Sequence, residues 1–255
     1  MKTIILAGGF GTRLTEETTT KPKPMVEIGG RPILWHILKH YAHYDFKEFV
    51  IALGYKADVI KRYFLDYADL NGNLTVELSA GRKRVIHRER DDWVVHLEDT
   101  GSDTLTGGRV KKLSEWVKNE TFMVTYGDGV SDIPLDKLVS FHKQQGRLAT
   151  VTAVRPPARF GGLVVDKEQV KHFTEKPQAG EGWINGGYMI FEPQALDLIK
   201  GNTSSLESEL LEQLSRQGQL SAFCHEGFWQ CMDTVRDLKF LEGLWSSGQA
   251  PWKVW

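Results

Sequence analysis

The residues best suited to chemistry come early, in Gly8-Gly9-Phe10-Gly11-Thr12-Arg13-Leu14, with Lys21-Pro22-Lys23-Pro24-Met25 close behind. Glycines let a backbone turn tightly enough for successive N–H groups to face phosphate oxygens, and Arg13 and Lys23 bring the positive charge that a triphosphate requires. Two prolines fix the backbone around Lys23, which a merely solvated lysine would not need. The run therefore reads as a phosphate cradle. A dinucleotide fingerprint would begin with Gly9-Phe10-Gly11, but it meets Leu14 where a third glycine or alanine belongs. The second strand also ends in Gly54 and not in an acid for a ribose. No GxxxxGK[ST] run is present, which removes the P-loop. A purely structural glycine turn is the remaining alternative.

Strands and helices must hold these residues in place. An apolar β-rich run at 3–6 enters the glycine loop, and apolar residues at helical spacing from Ile33 to Tyr44 predict the first long helix. Residues 48–53 predict a second strand, 57–67 a helix and 74–78 a third strand. Such alternation predicts a mostly parallel sheet covered on both faces, with ligands at the carboxyl ends of its strands. Two alternating stretches over 82–99, flanking Arg90-Asp91-Asp92, predict an antiparallel hairpin inserted into that alternation. Gly107-Gly108 opens a helix over 110–117, and the run at 122–125 delivers Tyr126-Gly127-Asp128-Gly129 to a strand end. Further helices are predicted over 135–144, 195–199, 206–216 and 235–245, and further strands near 149–154, 162–165, 170–174, 188–191 and 220–224.

The 255 residues predict one elaborated domain, and 41% hydrophobic with 25% charged residues is an ordinary globular composition. Thirty-two basic against thirty-three acidic residues give a net charge of -1, so no general attraction to nucleic acid or membrane is expected and any polyanion site must be local. The first apolar run is too short for a signal-peptide core and no stretch approaches a membrane span, which predicts a cytoplasmic protein. Cys224 and Cys231 form no disulfide framework and are expected to be packed thiols.

Taken together the motifs resemble the sugar-1-phosphate nucleotidyltransferase family along almost the whole chain. The resemblance is carried by the GGxGTRL loop, the KPKPM segment, Tyr126-Gly127-Asp128-Gly129, Phe173-Thr174-Glu175-Lys176-Pro177, Trp183-Ile184-Asn185-Gly186-Gly187 and Trp229-Gln230-Cys231-Met232-Asp233-Thr234. Within the family, Asp99-Thr100-Gly101, Thr104, Thr106-Gly107-Gly108-Arg109 and Ala250-Pro251-Trp252-Lys253 resemble the branch that uses CTP and glucose 1-phosphate to make CDP-glucose. UTP- or dTTP-dependent branches share the phosphate machinery and are the near alternative. A non-catalytic nucleotide-sugar sensor is the distant one, and it would have lost Asp128, Asp233, Arg13 or Lys23; all four are present.

The resemblance implies an α/β, Rossmann-like nucleotidyltransferase fold with a mixed, mostly parallel sheet flanked by helices. It implies nucleotide binding by Leu6, Ala7, Gly8, Gly9, Phe10, Gly11, Thr12, Arg13, Lys23, Gly81, Thr104, Arg109, Gly127 and Asp128. Arg13 is assigned to the β- and γ-phosphates and Lys23 to the α-phosphate; with Asp128 they form the expected catalytic set. Lys176 is expected at the sugar phosphate, and Asn185, Gly186 and Gly187 at sugar hydroxyls. Asp128 and Asp233 are the expected ligands of Mg²⁺, which takes one or two carboxylates plus phosphate oxygens and water. Singly, Asp128 also reads as a turn residue and Asp233 as a helix N-cap. A homo-oligomer and a place in bacterial deoxysugar synthesis for surface polysaccharide are implied as well.

The chemistry needs such residues. A sugar phosphate has a second pKa of about 6, so its oxygen is already an anionic nucleophile at neutral pH. Positioning and charge neutralisation then remain for the protein. Arg109 donates but cannot accept, so a backbone carbonyl near Gly8 or Gly81 is expected to receive the cytosine amino group. Cys231 stands where the resemblance leads one to expect proline, which relaxes the backbone before Asp233. The acidic run 206–210 also lacks an expected proline and reads as helix surface or subunit contact. His36, His40 and His43 share a helix stripe without a metal-binding pattern and read as a helix flank or subunit contact. The aromatic tail with Trp245, Trp252 and Trp255 predicts a buried tail or an oligomer contact.

Overall fold

In a computed structural model, which describes residues 1–87, 91–156, 162–166, 169–174 and 182–255, seven apolar runs become one sheet. Its strand order is Leu220–His225, Ala149–Val154, Ile184–Phe191, Phe122–Tyr126, Thr3–Leu6, Glu48–Leu53 and Val94–Asp99. Only Ile184–Phe191 runs against its two neighbours; the other pairs are parallel. Both faces are covered, which is why consecutive strand residues are apolar. Ile5, Ile51 and Met123 pack on one side with helix Ile33–His43 and Trp252, while Ile4, Val50 and Val124 pack on the other with Val110, Leu206 and Leu210. The α/β expectation of a mixed, mostly parallel sheet flanked by helices holds.

Strand order reverses at Thr3–Leu6. From it the chain steps one way to Glu48–Leu53 and Val94–Asp99, then returns to Phe122–Tyr126 on the opposite side. Such a reversal opens a crevice beyond the carboxyl ends of the two adjoining strands. Leu6 stands level with Tyr126, and the Gly127 amide donates to the Leu6 carbonyl at 3.0 Å. The glycine loop and Asp128 thus leave the sheet side by side.

Several elements differ from expectation. The inserted hairpin pairs Gly72–Glu77 with Arg82–His87, and Val94–Asp99 belongs to the main sheet. As an edge strand, Val94–Asp99 is only partly covered, so it alternates like a hairpin strand and misleads a pattern argument. Gly107 and Gly108 lie inside helix Thr106–Lys112 and do not precede it. Another segment crosses them closely, since a Cβ on Gly108 would fall 2.4 Å from the Asn202 carbonyl oxygen. The predicted 206–216 helix opens with a wide π turn over Leu206–Leu211 before the α turn Glu212–Arg216. An unpredicted pair, Gly129–Ser131 against Trp229–Cys231, ties the two acidic segments together. Cys224 is exposed, contrary to the packed thiol expected. Among the described residues no helix is long and apolar enough to cross a membrane.

His36 and His40 are buried in the core and do not line a helix flank; their Nε2 atoms meet the carbonyls of Ile28 and Ile133, each at 2.9 Å. Trp252 is fully buried, and its indole Nε1 donates to His36 Nδ1 at 3.3 Å, which fastens the aromatic tail. Desolvation lowers both imidazoles from 6.5 to about 4. Because the native state then refuses protons that the unfolded chain takes up, stability is full above about pH 6.5 and falls as pH drops toward 4. Each histidine contributes up to about 1.4 kcal/mol per pH unit within that window. Urea unfolding at pH 7 and pH 5 is expected to show a lower unfolding free energy at pH 5; equal values would contradict these buried neutral imidazoles.

Candidate active site

The crevice holds a cavity of about 420 Å³ lined by residues 6–13, Lys23, Pro24, the wall 102–106, Arg109 and Tyr126 to Asp128. The amides of Gly9, Phe10, Gly11, Thr12 and Arg13 donate to no protein acceptor among the described residues, which leaves five successive donors for ligand oxygens. Gly11 has φ +66, a backbone angle that favours glycine, and its carbonyl is held by Leu14 N at 3.1 Å and Thr18 Oγ1 at 3.2 Å.

Cations and carboxylates meet at one end of this cavity. Lys23, in a tight turn after Pro22, is buried and donates to Asp128 Oδ2 at 2.6 Å and to Asp233 Oδ1 at 2.5 Å. Arg13 Nη1 meets the second oxygen of Asp233 at 2.6 Å. Burial works against the charge on Lys23, but the two carboxylates outweigh it and raise its pKa above the ordinary value. Burial likewise works against ionised Asp233, yet Lys23 and Arg13 hold its carboxyl below the usual range. Asp233 caps no helix: Thr234 is the N-cap, in a capping box with Asp237. The Cys231 thiol is pushed up to about 12 by burial and by Asp233, so it stays protonated and lies 3.5 Å from Asp233 Oδ2. Backbone bonds fix the same segment, with Met232 N donating to Asp128 O at 2.8 Å. The missing proline is thus offset.

Two hard carboxylates converging on one cation fit magnesium, which completes its shell with phosphate and water. Among the described residues no group of three or more histidine, cysteine or acidic side chains gathers as a metal site.

The predicted base readers are found at the cavity but are largely committed to the chain itself. Arg109 is buried; Nη1 donates to Leu53 O at 2.9 Å, Thr100 Oγ1 at 2.6 Å and Gly101 O at 2.8 Å, and Nη2 to Gly8 O at 3.0 Å and Ser102 O at 3.2 Å. The guanidinium staples three strand ends together. Thr104 Oγ1 donates to Thr100 O at 2.6 Å and accepts from Lys112 at 3.1 Å. The Gly8 carbonyl already accepts from Arg109 and from Tyr55 N at 3.1 Å, which fills its two lone pairs and removes it as acceptor for a cytosine amino group. Gly81 sits in the turn of the inserted hairpin and does not line the cavity, a correction to its expected place. A Cβ on Gly8 would lie 2.1 Å from Arg109 Nη1, and the guanidinium is too firmly held to yield. Gly8→Ala is therefore expected to weaken triphosphate binding by about tenfold or more, with about 1–3 kcal/mol lost in stability; calorimetric titration and urea unfolding check both.

A second cavity of about 310 Å³ shares Arg13, Tyr126 and Asp128 with the first and adds Asn185, Gly186, Glu207, Trp229, Cys231 and Asp233. Asn185 Oδ1 accepts from Gly187 N at 2.9 Å, and a Cβ on Gly187, at φ +80, would fall 2.4 Å from Tyr126 Cδ2. Glu207, read from sequence as helix surface or subunit contact, lines this cavity. The sequence shows only its place in an acidic run, which points at no cavity. Lys176 lies outside the described residues.

The model of the nucleotidyl transferase family matches residues 2–239. A glucose-1-phosphate cytidylyltransferase from Salmonella typhi is 50% identical over 256 residues, with all of both chains covered. A probable glucose-1-phosphate cytidylyltransferase from Bacillus subtilis is 41% identical over the same span, again with both chains covered. Among solved structures, HddC from Yersinia pseudotuberculosis overlays with a TM-score of 0.71 at 22% identity, covering 96% of this chain and 99% of that one. Sheet order, glycine loop and full-length similarity agree, and the chain belongs to the nucleotidyl transferase family.

Proposed function

We propose that the protein transfers the cytidylyl group of CTP to α-D-glucose 1-phosphate, giving CDP-glucose and pyrophosphate. The observation that carries this reading is the pair of cavities that meet at Arg13, Tyr126 and Asp128, one floored by free amides and one walled by groups suited to hydroxyls. Full-length similarity to cytidylyltransferases supports the choice of base and sugar.

In the reaction an oxygen of the sugar phosphate attacks the α-phosphorus of CTP, a new P–O bond forms, and the bond to the β-phosphate bridging oxygen breaks in line with it. No proton needs removing from the nucleophile. The glycine-loop amides and Arg13 hold the β- and γ-phosphates and stabilise the departing pyrophosphate; Lys23 meets the charge that builds on the α-phosphate. Cytosine faces the 102–106 wall, which Arg109 holds in shape. Asp128 and Asp233 would hold magnesium, which supplies charge neutralisation at phosphate oxygens. Asn185 and Gly186, which line the second cavity, hold the sugar, with Gly187 fixing the Asn185 side chain and Lys176 at the sugar phosphate.

Pyrophosphate release with glucose 1-phosphate and Mg²⁺, compared across CTP, UTP, dTTP, ATP and GTP, tests the reading. CTP is expected to exceed every other triphosphate in kcat/KM by about tenfold or more. Preference for another base would keep the mechanism and overturn the cytidylyl assignment.

A further inference from the structure

The second cavity holds an acid that the reaction alone does not explain. Arg13, Asp128, Asp233 and Glu207 all line it; Arg13 and Lys23 pair with the two aspartates, and Glu207 is a third acid outside that cluster. Glu207 is not a loose surface acid. Its Oε1 accepts from the Tyr126 hydroxyl, and its Oε2 accepts from Thr106 Oγ1 at 2.7 Å and Ser205 Oγ at 2.9 Å. Thr106 Oγ1 in turn accepts from Leu206 N at 2.9 Å, so the carboxylate is clamped from helix Thr106–Lys112 and from its own turn. Burial raises the Glu207 pKa, but the hydrogen bonds from Tyr126, Thr106 and Ser205 outweigh it, and the group remains ionised.

A carboxylate offers about four acceptor sites; Oε2 takes two side-chain donors and Oε1 one, and the backbone N–H of Glu207 also bears on the group. Oε1 can share a further donor beside the tyrosine. Because the Tyr126 hydroxyl donates to Glu207, its own lone pairs also stay available. Two neighbouring acceptors thus line the cavity. They complement hydroxyl donors and repel an anionic phosphate.

We propose that Glu207, with Tyr126 as its fixed partner, accepts a hydrogen bond from one sugar hydroxyl and is a specificity-determining residue of the sugar subsite. The inference rests on the sugar-phosphate reading above. It gives the wide turn at Leu206–Leu211 a purpose, since that turn sets Glu207 beside Tyr126 and ties the sugar side of the crevice to the helix that carries Arg109.

The test is steady-state kinetics at saturating CTP for the wild type, Glu207→Gln and Tyr126→Phe, with glucose 1-phosphate and its 2-, 3-, 4- and 6-deoxy analogues. Wild-type enzyme is expected to discriminate against the analogue that lacks the hydroxyl facing Glu207. In both variants the KM for glucose 1-phosphate is expected to rise about tenfold while the KM for CTP moves less than about twofold, and discrimination against that one analogue collapses. An unchanged sugar KM, an equal rise in both KM values, or retained discrimination against every analogue would overturn the inference while leaving the reaction intact. Absence of any product with glucose 1-phosphate in the wild type would instead overturn the parent reading, and this inference with it.

Discussion

Lys23→Met is expected to lower kcat/KM for pyrophosphate release by about 10³-fold, because it removes the one buried cation that touches both acidic side chains of the site. The substitution keeps the aliphatic stem, so the turn that follows Pro22 stays packed. It also leaves Asp128 without its lysine partner and Asp233 with Arg13 alone, so two carboxylates share one positive charge. Thermal unfolding separates the two effects. The variant should melt below the wild type without magnesium and recover more of that difference when magnesium is added, since a metal cation then neutralises the carboxylate pair. A variant with wild-type kcat/KM would show that Lys23 is only a structural cross-link.

Asp233→Asn carries the second large effect, about 10²–10³-fold in kcat/KM, with a raised magnesium requirement. Asp233 accepts from Lys23, Arg13 and Cys231. An amide in its place turns one of those acceptor positions into a donor facing a cation. Titrating the rate against magnesium reads the loss directly. An unchanged half-saturating concentration, with the rate within about threefold of wild type, would remove Asp233 from the metal site.

Both predictions draw on residues visible in the sequence, whereas the links between them were not. Glycine spacing and the prolines around Lys23 announced the loop because those residue types restrict the backbone locally. The sheet was legible for a similar reason: a parallel strand buried on both faces is apolar at every position. Val94–Asp99 was misplaced because an edge strand carries the same alternation as a hairpin. Distances of more than a hundred residues along the chain separate Lys23 from Asp128, and still more separate it from Asp233. Nothing local records that one ammonium serves both. Arg109 shows a different gap. Its type suggested a base reader, but only the fold reveals that its donors are taken by the carbonyls of Gly8, Leu53, Gly101 and Ser102. Glu207 was assigned to the surface because a π turn, which no pattern marked, is what directs it to Tyr126.

Phosphorus NMR of the purified protein with CTP, glucose 1-phosphate and magnesium chloride, followed to completion, tests the transfer most directly. Loss of both substrates in equal amounts is expected, with the coupled pair of signals of a diphosphate diester and one pyrophosphate for each diester formed. CMP and pyrophosphate with glucose 1-phosphate untouched, or CTP left intact beside glucose 1-phosphate, would contradict it.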